Sequence, residues 1–129
     1  MGVEVTVTFD AGAVPSWAAC RESLNQHGIP VQMRMIDGMP AFPDETPPEP
    51  WRELRVATAH GMVTIRRDHD RIAFVTWGNA DAEMVRAWNA LIWTFAEVGH
   101  GRVDSPSGPL LPAEFRRTAD LPVSLRGES

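Results

Sequence analysis

The chain has 129 residues, 43% of them hydrophobic, with a formal net charge of −5. That length and apolar content suit a single domain with its own core, and no apolar run reaches the ~18 residues a membrane span needs. All 12 basic residues are Arg; without Lys there is neither a pyridoxal-phosphate Schiff base nor a Walker-type phosphate loop. The acidic balance disfavours nucleic acid as a partner. The single Cys excludes an internal disulfide, and the N-terminus shows no secretory pattern, so a cytoplasmic protein is expected.

In chain order, Val3, Val5, Val7 and Phe9 alternate with Glu4, Thr6 and Thr8, the period of a half-buried strand. Asp10-Ala11-Gly12 turns the chain, and Pro15-Ser16 opens a helix that Gly28 closes. Trp17, Cys20 and Leu24 share one stripe of it, so Cys20 reads as a small core residue. Val31–Met35 alternates again and completes a β-α-β unit, for which parallel strands are expected.

Residues 36–50 hold five Pro and four acidic residues and no base. Such a stretch is expected to stay extended and irregular, as an acidic lid, a docking segment or a linker between two halves of a sheet. A fourth alternating run follows at Glu53–Thr58.

Gly61–Gly99 organises the rest. Val63 and Ile65 lie on one face of a strand, Arg67–Asp70 is a polar break, and Ile72–Trp77 is apolar on both faces, which marks a central strand. Asn79 is the expected N-cap of a long helix, with Asp81 and Glu83 favouring its dipole. Met84, Trp88, Leu91, Phe95 and Val98 form its core stripe, and Gly99 is the expected C′ residue. Beyond it, His100–Asp104 suits a short edge strand, Ser105–Pro109 a turn, and Pro112–Arg117 a helical turn. The order β-α-β-β-β-β-α implies an α+β two-layer sandwich, a ferredoxin-like variant. Its mainly antiparallel sheet would have five or six strands, with two helices on one face. Residues 1–117 form this domain, and 118–129 a flexible tail.

Trp93 falls opposite the core stripe, among Arg86, Asn89 and Glu97. Either the Pro-rich loop or the tail folds over that face, or Trp93 anchors an interface. The densest polar cluster is Asp68-His69-Asp70, and the long helix returns His100 towards the same end of the sheet, a mixed N/O set of the kind that holds a metal. A solvated hairpin turn accounts for Asp-His-Asp equally well. No Gly-x-Ser-x-Gly elbow, HExxH or CxxC is present, and no cofactor is implied.

Thr76-Trp77-Gly78-Asn79, the long helix, Gly99-x-Gly-x-Val-Asp and Ser107-Gly108-Pro109-Leu110 together resemble the C-terminal half of small bacterial α/β domains, some of immunity-protein type. The resemblance implies a non-enzymatic interaction protein. On that basis a protein partner, or a second copy in a homodimer, is expected through the Trp93 face (Trp93, Arg86, Asn89, Glu97) or the 36–50 loop. The alternative is a small-molecule or metal-dependent enzyme using Asp68, His69, Asp70 and His100.

Overall fold

Every alternating run becomes a strand in the computed structural model, which describes residues 2–125. In order, the elements are β1 (Gly2–Thr8), α1 (Trp17–Gln26), β2 (Gln32–Ile36), β3 (Met39–Pro40), β4 (Glu53–Thr58), β5 (Gly61–Asp68), β6 (Arg71–Trp77), α2 (Ala82–Gly99), β7 (Arg102–Ser105), β8 (Gly108–Leu110) and α3 (Pro112–Thr118), followed by a 3-10 turn at Val123–Leu125. The class is α+β and the sheet is antiparallel throughout. It has eight strands, in the order β3-β2-β4-β5-β6-β1-β7-β8, rather than the five or six of a ferredoxin-like variant.

Three differences account for the extra elements. Asp37 (φ 51°) and Gly38 (φ 84°) both take positive φ, the backbone of a two-residue hairpin that suits an Asp-Gly pair. They pair Met39–Pro40 with β2 inside the stretch expected to be irregular. Ser105–Gly108 closes a second hairpin and adds β8 to β7. The helical turn after Pro112 is a third helix, with Glu114 returning its carboxylate to the Leu111 N–H at 2.8 Å.

The β-α-β expectation is half met. Counting antiparallel steps along the sheet, β1 and β2 do point the same way, but β4, β5 and β6 lie between them. Seven-residue pairing of β1 with β6 places the N-terminal strand inside the sheet, between β6 and β7.

One face of the sheet carries the core: Val7, Leu54, Val56, Val63, Ile65, Ile72 and Phe74 are all completely buried. Across it lies α2, with Phe95 set edge-on to Phe74 (centroids 5.2 Å apart) and the Trp88 indole N–H donating to the Phe74 carbonyl at 3.1 Å. From Ala87 to Ala96 every residue of α2 is buried, because α1 packs on one flank and α3 on the other. No helix among the described residues is long and apolar enough to cross a membrane.

The ends of the helices follow local chemistry. At the helix that Pro15-Ser16 opens, Ser16 caps α1 through the Ala19 N–H, whereas α2 is capped by Asp81, whose carboxylate accepts from Met84 N–H at 2.9 Å, and not by Asn79. The helix runs through Gly99, and His100 takes the left-handed position with φ 54°. Gly99 is required for space: a Cβ there would lie 2.6 Å from the Phe9 ring and 2.7 Å from Pro15 Cδ.

The expected tail from Thr118 is a correction too. Leu121 (1% exposed) and Leu125 (0%) enter the core, and Arg116 Nε donates to the Leu125 carbonyl at 2.6 Å. Residues 126–129 of that expected tail lie outside the described residues.

Candidate interaction surface

All three helices and the C-terminal segment lie on the core face, so the opposite face of the sheet meets solvent. Along each central strand the period of two leaves Glu53, Arg55 and Ala57 of β4, Met62, Thr64 and Arg66 of β5, and Ala73, Val75 and Trp77 of β6 on that open side. Nothing among the described residues covers them. Trp77 is 65% exposed and Met62 39%. With Val75 and Thr64 they floor a depression of about 390 Å³ walled by Arg55 and Arg66. Polarity is graded along the strands. At the Trp77 end the side chains are apolar; towards the β5–β6 hairpin come Arg66 beside Glu53 (3.7 Å) and Arg71 beside Asp104 (3.9 Å).

The edges of the sheet are protected. β3 has two residues and β8 three, and each contains a proline, Pro40 and Pro109. Short proline-bearing edges discourage strand addition. The free surface of this sheet is its face.

Trp77 was legible only in part. The sequence showed β6 to be apolar on both faces and marked it as a central strand; with every helix on one side, its second apolar face is left open.

The residues proposed from the sequence lie elsewhere and are engaged. Trp93 is 4% exposed, between the His27 ring (edge-on, 5.8 Å) and the Arg116 guanidinium (5.2 Å from the ring centroid). Asn89 donates to the Asp120 carbonyl at 2.9 Å. Arg86 donates to the Asp120 carboxylate at 3.1 Å and pairs with Glu83; the bond to Asp120, chiefly, raises its pKa. Glu97 alone of the four is exposed. The C-terminal segment thus occupies the Trp93 face, the packing alternative named above.

Asp68, His69, Asp70 and His100 share one end of the sheet without assembling. His69 sits at the hairpin tip with φ 56° and is 94% exposed at its side chain, 3.7 Å from Asp68. The Asp70 carbonyl accepts from Phe9 N–H at 2.8 Å, and β1 separates this hairpin from β7, which His100 leads into. Among the described residues no three His, Cys, Asp or Glu side chains form a metal-binding group. The nearby hollow, about 600 Å³ and wide open, runs from Pro50–Arg52 to the hairpin tip. Its one part-buried cation, Arg67, already meets Glu49 at 2.8 Å and stacks over Trp51 at 5.5 Å.

The 36–50 loop is tied down rather than free to close. Asp37 Oδ1 accepts from the Arg52 and Glu53 N–H groups (2.7 and 2.9 Å), Met33 N–H donates to Pro43 O at 2.9 Å, and Trp51 just after it is 1% exposed.

A cleft of about 260 Å³ opens between Ile29-Pro30, His60, Glu83 and Val123. His60 lies 3.6 Å from Glu83 in it, and it is smaller than an ordinary ligand pocket. Cys20 is fully buried, and burial pushes its thiol pKa far above the ordinary range, so it is no nucleophile.

Compared with family models, curated proteins and solved structures, the chain matches none. Fold and surface together define a two-layer α+β domain with one uncovered sheet face.

Proposed function

We propose that this chain is a non-enzymatic interaction protein that docks a protein partner on its open sheet face, with Trp77 as the anchor. The observation that carries this is a large aromatic, 65% exposed, standing beside Met62 and Val75 in a depression rimmed by Arg55 and Arg66. Aromatic anchors surrounded by polar rims concentrate binding energy. Leaving such a patch in water forgoes the roughly 25 cal/mol per Å² that burial returns. Against a catalytic role stands the placement of the polar candidates: Asp68, His69, Asp70 and His100 share one end of the sheet without assembling, and Cys20 is buried. An immunity-type complex, suggested by the sequence resemblance, is one form of this function and would seat the toxin on this same face.

Affinity capture from the native host tests the proposal, comparing wild type with Trp77→Asp and a control on the helical side, Glu22→Arg, all checked for folding by circular dichroism. Proteins retained by wild type and the control and lost by Trp77→Asp are expected, additional copies of the chain itself included. Identical retention by all three overturns the assignment of this face.

A further inference from the structure

We infer that the open sheet face pairs with the same face of a second copy of this chain, about a two-fold axis parallel to the strands between β5 and β6. This rests on the interaction role proposed above and names its partner. The argument lies in how charge and apolar surface are laid out across four neighbouring strands.

Backbone pairing sets the open-face side chains in rows. One row reads Arg55–Thr64–Val75–Glu4 across β4, β5, β6 and β1. A two-fold between β5 and β6 reverses it, bringing Arg55 over the partner's Glu4 and Thr64 over the partner's Val75. Among the described residues Glu4 makes no ion pair of its own, and it is exposed. Two residues towards the apolar end, the Ala57–Met62 and Trp77–Gly2 pairs continue the same registers, and reversal puts Met62 against Trp77. At the hairpin end Asp68 pairs with Arg71, and reversal sets each against the other's counterpart. In the remaining row Arg66 stays with Glu53 and meets only Ala73. No like charges meet in any of the four rows.

The position of the axis matters. One strand towards β1, it would press Glu4 onto Val75. One strand towards β4, it would set Trp77 over Gln32, which pairs with Ala57 on the far side of β4. Only between β5 and β6 do Trp77 and Met62 bury each other while opposite charges meet. Such an isologous contact is how most homodimers are built, and face-to-face sheets with strands within about 30° of each other are a standard packing. With strands ~4.8 Å apart and ~3.4 Å of rise per residue, the four rows outline on the order of 500 Å². That is below the ~800 Å² per partner of a standard interface, so the dimer belongs to the weak class.

Sedimentation equilibrium over a concentration series into the high micromolar range is the test. Wild type is expected to approach twice the chain mass, Trp77→Asp to stay monomeric and Glu22→Arg to behave as wild type. Arg55→Glu and Glu4→Arg should each raise the dissociation constant by about tenfold or more. An equimolar mixture of those two single variants, and the Arg55→Glu/Glu4→Arg double variant, should recover wild-type association, since each restores an opposite pair at both symmetry-related contacts. A chain monomeric at every concentration overturns the second copy as partner, as does a dimer indifferent to Trp77→Asp or charge reversals without rescue. A monomeric chain that still shows Trp77-dependent capture of a different protein overturns the dimer alone and leaves the interaction role standing.

Discussion

Two tryptophans on opposite sides of the molecule show how one residue type takes different roles. Trp93 is enclosed by His27 and Arg116, and its indole N–H has no hydrogen-bond partner among the described residues. Its contribution is packing, so Trp93→Ala should cost about 3–5 kcal/mol of stability. Trp77 stands in solvent on the open face, and Trp77→Ala should move stability by no more than about 0.5 kcal/mol while removing the anchor. Urea unfolding of the two variants at a concentration where the chain is monomeric measures both. Equal losses would mean that Trp77 is packed like Trp93, or that the C-terminal segment leaves Trp93 open. From the sequence, the place of Trp93 opposite the helix's main stripe left two readings open, a second packing surface or an interface anchor. The contacts of α2 with both α1 and α3 make it packing.

Elements were legible where local rules decide them. The alternating strands, the stripe of α2 and the cap at Ser16 all follow from period and side-chain chemistry. The N-cap of α2 is Asp81 rather than Asn79 because Gly78-Asn79 form a turn, closed by Ala80 N–H donating to the Trp77 carbonyl at 3.2 Å; both are good cap residues. The β2–β3 hairpin was signalled by Asp37-Gly38 but masked by the prolines after it. Gly99 is instructive. Read from sequence it was a C′ glycine, chosen for its backbone freedom; in the structure it lies inside the helix, against the Phe9 and Pro15 rings. Helix propensity alone would have Gly99→Ala stabilise α2 by about 1 kcal/mol. The rings leave no room for a methyl group, so Gly99→Ala should instead destabilise by about 1–3 kcal/mol, as a lowered urea midpoint would show. A raised midpoint would mean that the junction of α2 with β1 is looser than described.

At the scale of the molecule, what escaped sequence reading is long-range: the number and order of the eight strands, and so which strands lie beside one another. Local period says which side chains share a face of a strand and nothing about whether that face is covered. For β6, apolar on both sides, that omission decided the candidate site, because Val75 and Trp77 looked like core and are surface. The charge pattern across the sheet was equally invisible, since Arg55 and Glu4 stand at the two ends of one row only once β1 inserts beside β6. The uncovered face, the blunted edges and the self-complementary rows are the observations on which the proposed association through the open side of the sheet rests.

Hydroxyl-radical footprinting of the purified chain at low and high concentration tests that proposal most directly, because Met62 and Trp77 are readily oxidised and face each other across the proposed contact. Their oxidation is expected to fall as concentration rises, while that of Met39 and Phe42, exposed at 67% and 75% away from it, stays constant. Unchanged labelling of Met62 and Trp77 at a concentration where the mass has doubled, with protection on α2 or α3 instead, would contradict the assignment of the sheet face.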